Sequence, residues 1–205
     1  MTTRIHRAQQ FSSPLPGVIP MAFVSDCHFP RHSHDQFGVG VICRGGQRSW
    51  SALGTVRAGV GDVIMVNPGE IHDGAPWREN VREWHMLYLD PALVTAELAG
   101  EFVGSAAIVR PVADDALLAR RVTELFTSLI AGPAGTLGSE ERMLRSVMCL
   151  FGRHGVARRT PVRPVPLVTR AVEAIEAAPD RNVALAELAA LSGVSRYQLL
   201  RGFAR

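Results

Sequence analysis

A change of hydrophobic period partway along the chain limits its architecture more than any other feature. Residues 21–25, 37–43, 48–52, 63–67 and 84–89 are short β-type runs broken by turn formers such as Gly45-Gly46 and Ala58-Gly59. Beyond Asp114 the apolar residues instead recur every three or four positions, the spacing of one helical face. Many short strands at such spacing predict an antiparallel barrel or sandwich rather than a parallel sheet. With helices after it, the fold class is α+β. A length of 205 residues holds one large or two small domains, and 47% hydrophobic residues supply a real core. Residues 1–20, polar and then rich in Pro and Gly, read as an N-terminal arm, and 21–112 as the barrel.

Two clusters punctuate the β region: Pro30-Arg31-His32-Ser33-His34, and a stretch that ends in Pro68-Gly69-Glu70-Ile71-His72. His32 and His34 are two apart, so an extended backbone turns both side chains to one side. His72 follows a turn that redirects the chain at a barrel mouth. These clusters resemble the paired motifs of the cupin barrel, a small double-stranded β-helix, over roughly residues 20–90. Three histidines allow three readings: a metal site, a pocket in which imidazoles hydrogen-bond a small molecule, or rings that only tie down turns. The metal-binding cupin pattern carries a Glu soon after the second His. Here the chain reads Asp35-Gln36-Phe37-Gly38-Val39-Gly40, so the expectation is a pocket with no metal and no cofactor. Arg48 and Trp50 share parity on one strand, a carboxylate fork beside an aromatic wall. Trp84, in phase with Met86, lies on a later strand. His32, His34, Arg48, Trp50, His72 and Trp84 are therefore the candidate ligand-binding residues, suited to a small polar or anionic metabolite.

The span 113–156 reads as two helices. Leu118, Val122, Leu125 and Leu129, widened by Phe126 and Ile130, form the first stripe. Asp114 and Asp115 stand where a helix start favours negative charge, and Gly132-Pro133-Ala134-Gly135 ends it. The second, from Ser139, carries Met143, Leu144, Val147, Met148, Leu150 and Phe151. Such a pair covers the barrel's flank or joins two copies in a homodimer. Residues 157–166, with Pro161, Pro164 and Pro166, read as a stiff, extended linker.

In 167–205, Val168, Ala171, Val172 and Ile175 mark another helix, and residues 184–205 a pair of short helices at a tight turn. Leu185, Leu188 and Ala189 share a face, Gly193 suits a left-handed helix end, and Ser195 and Gln198 have capping-box spacing. Ala184 is a weak N-cap for the first of the two. Leu199 and Phe203 are expected to point inward with Val194, leaving Tyr197, Leu200 and Arg201 outward. That face suits a major-groove reader, although plain αα-hairpins share the pattern.

Charge supports the first reading. From Val156 onward stand Arg158, Arg159, Arg163, Arg170, Arg181, Arg196, Arg201 and Arg205 against Glu173, Glu176, Asp180 and Glu187, so the positive excess lies here. Cys27, Cys43 and Cys149 are odd in number and scattered, which predicts no disulfide framework and fits a reducing cytoplasm. No leader and no membrane span is expected.

Taken in order, arm, barrel with two histidine clusters, helix pair, proline linker and helix-turn-helix resemble the AraC/XylS family of bacterial transcription regulators. The most specific match is Leu188-Ala189, Gly193-Val194-Ser195, Leu199, Arg201 and Phe203. The resemblance implies a barrel that binds an effector, two helices that dimerise, and operator DNA as partner, with no enzymatic activity. On matching positions, Ser195, Arg196, Tyr197, Gln198, Leu200 and Arg201 are the DNA-binding candidates. Family members carry two helix-turn-helix units joined by a long helix, and this sequence matches the first only. Two other readings stay open: a metal-dependent cupin enzyme, and a ligand-binding, dimerising protein with little hold on DNA.

Overall fold

The computed structural model describes residues 4–51, 53–77, 81–99, 101–103, 106–131, 136–156, 158–159 and 168–204. The β region contains β1 (His6–Gln10), β2 (Val18–Ser25), β3 (Phe29–His32), β4 (Phe37–Arg44), β5 (Gln47–Ser51), β6 (Gly54–Ala58), β7 (Val63–Val66), β8 (His72–Pro76) and β9 (Arg82–Leu89). Then follow α1 (Pro91–Leu98), β10 (Phe102–Val103), β11 (Val112–Ala113), α2 (Ala116–Ile130), α3 (Thr136–His154) and β12 (Arg158–Arg159). The last helices are α4 (Thr169–Ala177), α5 (Leu185–Ser192) and α6 (Arg196–Phe203).

A six-stranded sheet runs β1-β2-β9-β4-β7-β11 and a four-stranded sheet β3-β8-β5-β6, with antiparallel pairing in both. This is the antiparallel two-sheet arrangement that the strand spacing predicts, and it is cupin-like, as the two histidine clusters imply. Period-2 alternation on β9 divides the interior in two. Leu87 and Leu89, with Val39 and Val41 of β4, join the apolar faces of α2 and α3 in the main core. Trp84 and Met86, with Ile42, Ala58 and Ile64, form a smaller cluster between the sheets. Gly38 and Gly40 make room for Met86 there. A Cβ on Gly40 would lie 2.2 Å from the Met86 sulfur, and one on Gly38 would lie 3.1 Å from its terminal methyl.

The helix pair covers the outer face of the large sheet. Leu118, Val122, Leu125, Phe126 and Leu129 of α2, with Met143, Leu144, Val147, Leu150 and Phe151 of α3, are all buried. Each contributes about 1.5–3 kcal/mol on leaving water. Asp115 caps α2, accepting from the Leu118 N–H at 3.2 Å, and binds Arg153 at 2.6 Å and His154 at 2.8 Å in the last turn of α3. Ala171, Leu185, Leu188, Ala189 and Leu199 continue the same core, so α4–α6 pack on the body rather than standing apart.

Several expectations change. Within the expected arm, His6–Gln10 is an edge strand on β2. All five of its side chains are exposed, so no alternation betrays it in the sequence. Helix α3 starts at Thr136, ahead of Ser139. Arg158–Arg159 pair with β10 instead of opening a linker, while Pro161, Pro164 and Pro166 lie outside the described residues. The turn at residues 132–135 also lies outside them. Phe203, expected inward, is 45% exposed, whereas Tyr197 and Leu200, expected outward, are half-buried against the core. The body that receives α6 covers part of the face that an isolated hairpin would show to solvent.

Candidate functional site

Between the two sheets lies a cavity of about 160 Å³. Its wall takes side chains from β2, β3, β5, β7, β8 and β9, because the inward phase of each strand points there. Of the ligand-binding candidates, the structure places His32, His34, Trp50, His72 and Trp84 on this wall. Arg48 is exposed and lies off it, since on β5 the residues Gln47, Ser49 and Ser51 carry the inward phase. Trp50 reaches the cavity from the other phase, with the Arg31 guanidinium 3.7 Å above its ring and its N–H given to Asp73 at 2.7 Å.

The histidines form one cluster. His32 and His72 face each other across the β3–β8 ladder with ring centroids 4.3 Å apart, and His34 meets His72 at 5.2 Å and Tyr88 at 5.0 Å. His34 lies in the loop after β3, so proximity here comes from the loop's path and not from strand parity. Each Nδ1 sits on a backbone carbonyl: His32 on Pro30 at 2.8 Å, His34 on Gln36 at 2.8 Å and His72 on Glu70 at 2.9 Å. A carbonyl oxygen only accepts, so Nδ1 is the donor in all three, and a ring so held carries its free lone pair on Nε2 when neutral. Burial lowers the pKa of His34 and of His72 below the usual 6.5, more than their carbonyl bonds raise it, which keeps both rings neutral at pH 7. Burial likewise raises the Tyr88 hydroxyl above 10.0. Among the described residues no group of three His, Cys, Asp or Glu side chains is arranged to hold a metal ion.

Trp84 serves both core and cavity. It stacks on Phe23 with centroids 4.9 Å apart and meets Phe29 edge-on at 6.0 Å, and all three rings line the cavity. Behind them lies a residue that the sequence reading passed over. Arg82 is fully buried, in phase with Trp84 and Met86 on β9. Its signal was available, since it extends the same alternation by one step, but a charged residue at a strand's start ordinarily marks its exposed end.

The DNA-binding candidates fall into three sets. Ser195 and Gln198 form a reciprocal capping box, Ser195 Oγ accepting from the Gln198 N–H at 3.1 Å and Gln198 Oε1 from the Ser195 N–H at 3.2 Å. Gly193, at φ 66°, closes α5, and no side chain caps α5 at Ala184. Tyr197, Leu200 and Arg201 cluster on another side of α6, the Arg201 guanidinium 5.9 Å from the Tyr197 ring. Arg196 does not reach freely into solvent. Its Nε donates to Glu97 Oε2 at 3.2 Å, its Nη2 pairs with Glu97 Oε1, and its Nη1 lies 3.9 Å from Glu140. Ser195 Oγ donates to Glu101 at 2.7 Å. Glu97 and Glu101 are buried, and burial pulls the Arg196 pKa below its ordinary value. These acids follow the last long strand of the large sheet, in and just after α1, a helix signalled by Asp90-Pro91 but not expected from apolar spacing.

Residues 23–147 match the family model described as AraC-like ligand binding domain. No curated protein matches. Among solved structures the chain is similar to a conserved protein of unknown function from Streptococcus pyogenes, at 16% identity over 42% of this chain and 75% of that one, with a TM-score of 0.38. A variant of oxalate decarboxylase from Bacillus subtilis matches at 16% identity over 43% of this chain, with a TM-score of 0.38; the match spans 26% of that chain. A Cupin 2 conserved barrel domain protein from Salinispora arenicola matches at 20% identity over 44% of this chain and 80% of its own, again with a TM-score of 0.38.

Proposed function

The chain belongs to the AraC-like ligand binding domain family, and from that premise we propose that it is an effector-responsive transcription regulator. In this reading a small molecule occupies the cavity between the sheets, and the α5–turn–α6 unit binds operator DNA. The candidate DNA-binding residues are Ser195, Arg196, Tyr197, Gln198, Leu200 and Arg201. The observation that carries the reading is the seam by which Glu97 and Glu101 hold Arg196 and Ser195, the first residue of α6 and its N-cap. A guanidinium paired with a buried carboxylate is not available to a phosphate. Occupancy of the cavity has a route to α6 through β9, which lines it and runs straight into α1. Coupling of this kind needs two states with different affinities for each ligand.

A homodimer through α2 and α3 belongs to the same proposal. Leu117 and Ile130 of α2 and Leu137 of α3 remain exposed, in keeping with a further partner for these helices. No helix among the described residues is long and apolar enough to cross a membrane.

The test is fluorescence anisotropy of DNA from upstream of the reading frame, titrated with the protein while calorimetry follows small molecules entering the cavity. The expected result is an operator affinity that changes with cavity occupancy and falls steeply with salt. Operator affinity that stays the same when the cavity is filled removes the coupling, and absence of any sequence preference removes the regulator.

A further inference from the structure

The cavity wall is rich in hydrogen-bond acceptors and poor in positive charge. No arginine lines it among the described residues, and the chain has no lysine. Arg48, the candidate for holding an anionic ligand, lies off the wall. Glu70 and Asp73 do line it, and the ion pairs among the described residues all lie elsewhere. Glu70 Oε2 accepts from the Asn67 N–H and side-chain amide, both at 3.0 Å, and Asp73 Oδ1 accepts from the Trp50 N–H at 2.7 Å. One oxygen of each carboxylate is thus left without a donor among the described residues.

Both acids stand beside the imidazoles. The Glu70 carbonyl holds His72 Nδ1, and Asp73 follows His72 on β8. With each Nδ1 bound to a carbonyl, the neutral rings of His34 and His72 offer the cavity Nε2 lone pairs, which accept and do not donate. His34 Nε2 reaches in as far as Gly38, where a Cβ would lie 3.7 Å from it. On the β3–β8 ladder His32 faces His72 and Phe29 faces Gly74, so the aromatic part of the wall begins roughly 7 Å further along. That part is backed by positive charge, because the Arg82 guanidinium lies 4.8 Å from the Trp84 ring centre and 5.2 Å from that of Phe29. A cation in the cavity is therefore pushed from the rings and drawn to the imidazole end.

Building on the effector-binding reading above, we infer that the cavity takes a small primary amine, its ammonium among the histidines, Glu70 and Asp73 and its apolar body against Phe29 and Trp84. An ammonium carries three donors and no acceptor, the complement of a wall that offers imidazole lone pairs and carboxylate oxygens. Its charge meets two carboxylates that have no other counter-ion among the described residues, and bonds between charged groups are the strong ones. A carboxylate ligand in the same place meets acceptors and like charge, and a hydroxyl donates only one bond. A cavity of about 160 Å³ admits an apolar body of roughly one ring.

Calorimetric titration of the full chain with 2-phenylethylamine, 2-phenylethanol and phenylacetate, one ring with three head groups, tests this. The amine is expected to bind roughly 10- to 100-fold more tightly than the alcohol, and the acid more weakly than either. Combining Glu70→Gln with Asp73→Asn keeps the shape of both side chains and an acceptor for Asn67 and Trp50, and is expected to bring the amine and alcohol affinities together. An alcohol or acid that binds as tightly as the amine, or an amine advantage that survives in the double variant, overturns the inference while the effector reading stands. Amine binding that leaves operator affinity unchanged supports the inference and removes the effector reading. Binding by none of the three overturns the inference, and the operator titration then judges the effector reading alone. Should the double variant fail to fold, the amine-to-alcohol ratio of the parent chain still decides.

Discussion

Two arginines drawn away from solvent, the buried Arg82 and the half-buried Arg196, are treated in opposite ways by the same fold. Arg82 lies between the sheets with two backbone carbonyls and no carboxylate among its described partners. Arg196 lies in the seam under α6 with Glu97 bound to it and Glu140 beside it. The first charge is held by the carbonyls of Gly74 and Cys27 and by the faces of Trp84 and Phe29. The second has its anions already, and under the proposed DNA-binding role a phosphate would have to displace them.

The largest expected effect tests whether the seam is polar at its base. Leu199 is fully buried and belongs to the main core. Leu199→Ala is expected to cost roughly 2–5 kcal/mol in the unfolding of the C-terminal helices, read by urea titration. The cavity's ligand affinity should not move. If the loss falls below that of the next variant, charge and not packing holds α6 down.

That next variant is Glu97→Ala, which strands the Arg196 guanidinium in a half-buried place. Roughly 2–3 kcal/mol of docking free energy is expected to go, since a buried charge then loses its strongest partner. Hydrogen exchange in α6 should rise while exchange in β4 and β9 stays slow. DNA affinity should rise too, because Arg196 is released. A fall in DNA affinity would mean that the docked position is the binding one, and the contrast between the two arginines would lose its functional meaning.

Asp115 gives a control inside the body, a buried carboxylate paired with Arg153 and His154 and outside the cavity wall and the seam. Burial alone would raise its pKa, but bonds from Arg153, His154 and the Leu118 N–H outweigh it and hold the carboxyl at about 2, against an ordinary 3.8. A folded-state value below the unfolded one means the stabilisation is full above about pH 4 and is lost as pH falls through about 2. Screening at Arg153, half exposed, trims it to roughly 1–2 kcal/mol. Asp115→Asn should flatten the acid limb of the melting curve by that amount and leave DNA binding alone.

The sequence carried the sheets well and the seam poorly. Strand alternation locates β4, β7 and β9 because their faces differ in burial, and the same alternation would have exposed Arg82 had its phase been followed one residue further. The candidates His32, His34 and His72 do share a cavity wall, though His34 reaches it through a loop. Arg48 sits in the outward phase of β5, which only pairing with β6 and β8 decides. For α6, local spacing found the capping box but not the buried faces. Leu199 and Phe203 share a side of an isolated helix, yet the site where α6 docks buries Leu199 and covers Tyr197 while Phe203 stays open. That choice is made by Glu97 and Glu101, nearly a hundred residues earlier in the chain, and no local pattern encodes it.

The smallest effect separates the two tasks of Ser195. Its Oγ accepts from the Gln198 N–H, which caps α6, and donates to Glu101, which ties α6 to the body. Ser195→Ala loses both, at about 1 kcal/mol, the typical worth of a cap. Ser195→Asp keeps the cap, because aspartate caps as well as serine, but sets a like charge against Glu101. Helix content by circular dichroism should therefore fall slightly in S195A and hold in S195D. Exchange in α6 should rise in both, and more in S195D. If S195D protects α6 as fully as the parent, the Glu101 bond contributes nothing to docking, and the seam reduces to Arg196 and the apolar contacts of Leu199.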